Sequence, residues 1–164
     1  MNEKTVYLSL GSNLGEREDR LAQALAALER EQVQIVARSP IYETEPQDIA
    51  SQPWFLNMVV ESRTRLLPLR LMNLLLRIER EIGRVRHANT QRGPRPIDLD
   101  VLLFGSAVIQ LPQLTVPHPR MLQRNFVLVP LAEIAPGFRH PSWPAPVAEL
   151  LSRSPDSSIV RLHP

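Results

Sequence analysis

Between residues 5 and 105 the apolar side chains change their spacing in a set order, and few folds accommodate that order. Thr5–Gly11 (TVYLSLG) alternates, as a half-buried strand does. Glu16–Glu31 carries Leu21, Leu25 and Leu28 at spacings of four and three, which predicts a helix. Val33–Glu45 predicts a strand bent at Pro40, and Trp54–Thr64 a further strand. Pro68–Ile82 predicts a second helix, with Pro68 accepted in its first turn and Gly83 ending it. Ile97–Gly105 (IDLDVLLFG) predicts the last strand. Strand, helix, strand, strand, helix, strand is the ferredoxin-like βαββαβ pattern of the α/β (α+β) class. In it two helices pack on one face of an antiparallel sheet.

The rest of the chain is built differently. Twelve of the 16 prolines lie between Pro94 and Pro164, which predicts a loop-rich C-terminal extension. FVLVPLAEIAP, residues 126–136, is too apolar for disorder and predicts a short helix in an appended layer. A chain of 164 residues fits a single domain over 1–164.

Chemistry concentrates in Gly83–Asp100, GRVRHANTQRGPRPIDLD. Arg84, Arg86, Arg92 and Arg95 precede a strand carrying Asp98 and Asp100. Residues two apart on a strand share a face, with Cα atoms about 6.6 Å apart. Two bare carboxylates at that distance repel by about 2.5 kcal/mol at an effective dielectric of 20. A positive partner is therefore expected. Paired oxygen ligands beside guanidinium donors suit a magnesium polyphosphate. Residue types alone leave this reading level with a plainer one, a surface strand whose aspartates pair with Arg95 or Arg86 and do nothing more. Burial of Ile97, Leu99, Val101 and Leu103 on one face would aim both aspartates the other way.

Phe55 and Asn57 form a second same-face pair, with Leu56, Met58 and Val60 opposite. An aromatic beside an amide can stack on a heterocycle and read its edge. By themselves they more often mean a core ring and a satisfied amide. Glu79, near the C-terminus of the second helix, opposes the helix dipole and so calls for a partner. The alternative is a solvated pair with Arg77, Arg80 or Arg84. In VPHPRMLQRNF, residues 116–126, two prolines bracket His118, and Arg120 and Arg124 offer donors to an anion. GSNLG, residues 11–15, is expected to be a turn with Ser12 or Asn13 capping the first helix.

Composition removes several classes. Lys4 is the only lysine, so there is no Walker-type phosphate loop and no interior catalytic lysine. There is no cysteine, hence no disulfide, thiolate zinc site or cysteine nucleophile, as fits a cytoplasmic protein. No apolar run reaches the 18 residues of a membrane span, and the N-terminus lacks a signal peptide's apolar core. A nucleic-acid-binding module of the same fold would need exposed aromatics and a basic surface. Aromatics are 5% and net charge is +2, so no nucleic-acid partner is expected.

Together these segments closely resemble the 6-hydroxymethyl-7,8-dihydropterin pyrophosphokinases of folate biosynthesis. The resemblance spans nearly the whole chain. It rests on GSNLG at 11–15, YETEP at 42–46, QPWFLN at 52–57, RIEREIGRVR at 77–86, GPRPIDLDVLLFG at 93–105 and LTVPHPRMLQRNFVLVPL at 114–131. It implies transfer of diphosphate from ATP to the pterin hydroxymethyl group, releasing AMP, by a monomer acting on small molecules. It also implies that Asp98 and Asp100 bind two Mg2+ ions, and that Arg84, Arg86 and Arg95 neutralise the phosphates. His118 and Arg124 would face the triphosphate, with Glu79 on the nucleotide side. Val101, Leu114 and Thr115 would line the adenine and ribose pocket. Phe55 and Phe126 would sandwich the pterin, Asn57 would read its edge, and Thr44 would add a contact. Some members carry tryptophan just before Gly-Pro-Arg, where this chain has Arg92.

Overall fold

The computed structural model describes residues 2–46, 51–83 and 95–164. The expected loops at Pro46–Pro53 and 84–96 thus lie partly outside the described residues, as do Arg84, Arg86 and Arg92.

Alternation along strand β1, Lys4–Ser12, sends Val6, Leu8 and Leu10 to one side of the sheet and Tyr7 to the other. Helix α1, Arg17–Arg30, buries Leu21, Leu25 and Leu28 against the first side. Strands β2 (Val33–Arg38) and β3 (Tyr42–Thr44) follow. They are the two halves of the expected bent strand, and both pair antiparallel with β4, Phe55–Thr64. Pro40 offers no N–H to the ladder between them. Ser39 bridges the break: its N–H donates to the Val59 carbonyl at 2.9 Å, and its Oγ accepts from the Val59 N–H at 3.0 Å.

Helix α2, Pro68–Ile82, adds Leu71, Leu75 and Ile78 to the core under α1. Gly83 ends it at φ 109°, a left-handed conformation that glycine adopts without a Cβ clash. Strand β5, Asp98–Phe104, completes the set at the sheet edge. The strands run β5-β1-β4-β3, with β2 also on β4, and every pairing is antiparallel. This is the expected α+β architecture, with α1 and α2 on one face.

One expectation fails within β5. Ile97, Leu99 and Val101 face the helices, but Leu103 lies in the core on the opposite face and Phe104 returns to the helix side. Tyr7 pairs with Leu103 while Leu8 pairs with Val101, so Leu102 is an extra, bulged residue. A bulge reverses the inside–outside alternation beyond it.

The C-terminal third packs on that opposite face. A short hairpin, β6 (Ile109–Gln110) and β7 (Thr115–Val116), leads to a 3-10 turn at Met121–Gln123. Helix α3 (Asn125–Ile134) and helix α4 (Val147–Ser152) follow. Met121, Val127, Leu131, Trp143 and Val147 form a second core with Tyr7, Val59, Leu102 and Leu103. The tail does more than append a layer, because strand β8, Val160–Leu162, pairs with β3 and widens the main sheet. Among the described residues no helix is long and apolar enough to cross a membrane.

Candidate active site

Beyond the second core, the face away from α1 and α2 carries the polar residues singled out in the sequence. Register places them in rows. Asp98 lies beside Gly11, Gly11 beside Asn57, and Asn57 beside Tyr42. Asp100 lies beside Ser9, and Phe55 beside Thr44. Neighbouring strands stand about 4.8 Å apart, so Asp98 and Asn57 are separated by roughly 10 Å of sheet.

Asn57 is buried and oriented. Its Nδ2 donates to Thr44 Oγ1 at 2.6 Å. Its Oδ1 occupies the space that a Cβ on Gly11 would fill, at only 2.4 Å from that ideal position. Gly11 is thus glycine for close approach of a side chain, not for backbone conformation.

Arg95 connects the two ends of the face. Its guanidinium carbon lies 5.4 Å from the Phe55 ring centroid, and its Nη1 lies 3.5 Å from Asp98 Oδ2. Arg95 Nε is buried without a hydrogen-bond partner among the described residues. The Arg95–Asp98 pair is the one the plainer reading of the aspartates expected, and it supplies the positive neighbour that two close carboxylates call for. Both carboxylates are half-buried, and no third His, Cys, Asp or Glu joins them into a metal-binding group among the described residues.

Glu79 corrects the solvated-pair alternative. It is 1% exposed, and its Oε2 accepts the Leu99 N–H at 2.8 Å. It therefore caps an edge-strand donor between the two aspartates. His118 is fixed by its backbone, whose N–H donates to the Leu102 carbonyl at 2.9 Å. Its Nδ1 accepts the Arg120 N–H at 3.2 Å, which leaves the ring proton on Nε2. Burial pushes the imidazole pKa down to about 4; Arg124 and Arg120 add to this and Asp98 opposes it. Arg124 lies over the Phe126 ring at 5.3 Å, at the start of α3. Val101 and Leu114 are both buried in the core with α2, whereas Thr115 is exposed on the hairpin.

The family described as 7,8-dihydro-6-hydroxymethylpterin-pyrophosphokinase (HPPK) matches residues 7–136. The chain belongs to this family. A relative from Pseudomonas aeruginosa, named 2-amino-4-hydroxy-6-hydroxymethyldihydropteridine pyrophosphokinase, is 46% identical over 158 residues, 96% of each chain. A Bacillus subtilis protein of the same name is 50% identical over 129 residues, 78% of this chain and 76% of that one. The Schizosaccharomyces pombe folic acid synthesis protein fol1 is 39% identical over 157 residues, 95% of this chain but 21% of that protein. Among solved structures, an HPPK-DHPS in complex with substrates superposes with a TM-score of 0.75 at 15% identity, a likeness of fold. It covers 93% of this chain, which spans 43% of that one.

Within this HPPK-family chain, sequence reasoning misplaced Asn13. It does not cap α1, whose first flanking residue is Glu16, with no side-chain cap. β1 runs on through Ser12, and Asn13, 2% exposed, turns inward. Its Nδ2 donates to Gln52 Oε1 at 2.9 Å and to the Pro53 carbonyl at 3.0 Å. Nor does the sequence signal the contacts made by the last strand. Arg161 lies 4.7 Å from the Trp54 ring centroid, and Arg161 and Arg17 both bind the Glu43 carboxylate. That network holds the Glu43 carboxyl below its ordinary range. Arg161 lies beyond the matched family segment, while its partners Glu43 and Trp54 lie within it.

Proposed function

We propose that this chain transfers diphosphate from ATP to the hydroxymethyl group of 6-hydroxymethyl-7,8-dihydropterin, acting as one domain over residues 1–164. The pterin hydroxyl oxygen attacks the β-phosphorus, the bond to the α,β-bridging oxygen breaks, and AMP leaves with that oxygen. The hydroxyl proton is lost to solvent or to a phosphate oxygen.

The observation that carries this reading is the position of Arg95, in reach of both the Phe55 ring and the Asp98 carboxylate. A planar substrate on Phe55 would have its side group beside a guanidinium, and the guanidinium would have the metal-facing carboxylate on its other side. Phe55 and Phe126 stack on the pterin, and Asn57, held by Thr44, reads its edge. Arg95, Arg124 and His118 Nε2–H contact phosphate oxygens. Glu79 positions β5, and the resemblance alone assigns Val101, Leu114 and Thr115 to the nucleoside, since Val101 and Leu114 are buried on the helix side of the sheet. The roles of Arg84 and Arg86 rest on the resemblance.

The donor set fits magnesium. Two carboxylates are hard oxygen ligands, and Mg2+ commonly takes one or two of them with water and phosphate oxygens completing the shell. Asp98 and Asp100 would hold two such ions, which when bound neutralise charge on the reacting phosphates. The protein's own work is to align hydroxyl and phosphorus and to spread positive charge, which is most of what phosphoryl chemistry requires.

The test is AMP formation from Mg-ATP with and without the reduced pterin. Equimolar AMP and pterin diphosphate are expected only when both substrates are present. ATP turnover to ADP, or no pterin dependence, would overturn the assignment.

A further inference from the structure

Helix α3 begins without the usual local supports. Arg124 flanks it with no side-chain cap. Pro130 sits inside it and has no N–H to return to the Phe126 carbonyl, four residues earlier. The first turn closes through the Val127 and Leu128 N–H groups on the Arg124 carbonyl, both at 3.0 Å, but no residue beside it caps the Asn125 N–H.

A distant segment supplies that cap. Asp156 Oδ2 accepts the Asn125 N–H at 2.8 Å, and the Asp156 carbonyl accepts from Asn125 Nδ2 at 3.0 Å. The same carboxylate is steadied through Oδ1, which takes the Ser158 N–H at 2.8 Å and the Ser158 hydroxyl. Three residues on, the chain clamps β3. Ile159 N–H donates to Glu45 Oε1 at 2.7 Å, Glu45 N–H donates to the Ile159 carbonyl at 3.1 Å, and β8 continues the ladder. One short stretch thus ties the start of α3 to the strand bearing Thr44.

We infer that Asp156 is a positioning residue for pterin binding: it fixes the first turn of α3, and so Phe126, relative to the β3–β4 face that carries Thr44, Asn57 and Phe55. The inference rests on the proposed pterin reading of that face. Its chemistry is simple. A carboxylate supplies the acceptor that an N-cap side chain would otherwise supply, and does so from a segment paired with β3.

The experiment is calorimetric titration of the reduced pterin into wild type, Asp156→Ala, Asp156→Asn, Phe126→Ala and the Asp156→Ala/Phe126→Ala double variant, each with a bound Mg-ATP analogue. Asp156→Ala is expected to weaken pterin binding about fivefold, the scale of coupling between residues sharing one network. It should raise the pterin KM with little change in kcat or analogue affinity. Asp156→Asn keeps an acceptor for Asn125 and restores most of the affinity. In the Phe126→Ala background the Asp156 effect should vanish. Unchanged pterin affinity in Asp156→Ala, or an equal loss with and without Phe126, overturns the inference. If Asp156→Ala does not fold, Ser158→Ala, which removes one hydrogen bond to the carboxylate, must show a smaller loss in the same direction. Unchanged affinity there overturns it too. Wild type that binds no pterin refutes the proposed function itself, a separate outcome.

Discussion

Asn13 and Arg95 exchange a pair of hydrogen bonds: the Asn13 N–H donates to the Arg95 carbonyl at 3.1 Å, and the Arg95 N–H donates to Asn13 Oδ1 at 2.8 Å. With its amide nitrogen on Gln52 and Pro53, Asn13 joins the end of β1, the segment entering β4 and the segment entering β5. Those last two carry Phe55 and Asp98. Asn13→Ala strands buried polar groups on both, at a cost of about 2 kcal/mol. Urea unfolding should show that loss, and turnover should fall further because Arg95 is freed from its place. Stability within about 0.5 kcal/mol of wild type would mean that the contact is incidental.

Gly11 supports the Asn57 amide by being small. Gly11→Ala would put a Cβ against Asn57 Oδ1 and force the amide off Thr44. Fold and Mg-ATP binding should survive, while pterin affinity drops about tenfold, or ~1.4 kcal/mol. Wild-type pterin affinity in that variant would remove Asn57 from the recognition surface.

The βαββαβ order was legible because alternating and helical spacings follow one another cleanly, and Gly83 and Pro68 mark the ends of their helix. The Leu102 bulge was not. Val101, Leu102, Leu103 and Phe104 are all apolar, so no polar residue records the flip. Asn13 misled because an asparagine just before a helix has a local explanation, while its actual partners lie 39 to 82 residues away. Glu79 was legible as a carboxylate in want of a partner, but a backbone N–H leaves no trace in side-chain pattern. β8 is three residues long, too short for alternation to signal a strand.

Asp98 and Asp100 share a sheet face, and among the described residues they belong to no group of three or more His, Cys, Asp or Glu placed to hold a metal. Asp98→Asn or Asp100→Asn should leave the melting temperature near wild type and cut diphosphate transfer at least about a hundredfold. Near-normal turnover of either variant at saturating magnesium would contradict the metal-holding role.

Arg95→Lys keeps one positive charge but loses the planar group that spans Phe55 and Asp98. A fall in kcat of about a hundredfold is expected, with analogue affinity changed less than about threefold. Equal losses in both would assign Arg95 to ground-state binding of ATP.

His118 gives the site a pH signature. In an unfolded chain its imidazole takes a proton near pH 6.5, whereas in the folded protein burial and the nearby arginines hold the proton off until about 4. Between those values the unfolded state binds more protons, so folding stability rises with pH across the window. The contribution is complete above about 6.5, is lost steadily as pH falls toward 4, and changes no further below that. His118→Gln should flatten this part of the stability curve relative to wild type, and the difference isolates His118 from the other three histidines. In NMR titrations of the nucleotide-free protein the His118 ring should remain neutral at pH 5, with its proton on Nε2, the nitrogen proposed to meet a phosphate oxygen. A midpoint near 6.5 would show an imidazole in open solvent, and would leave His118 without the desolvated setting in which a single neutral donor can matter to phosphate binding.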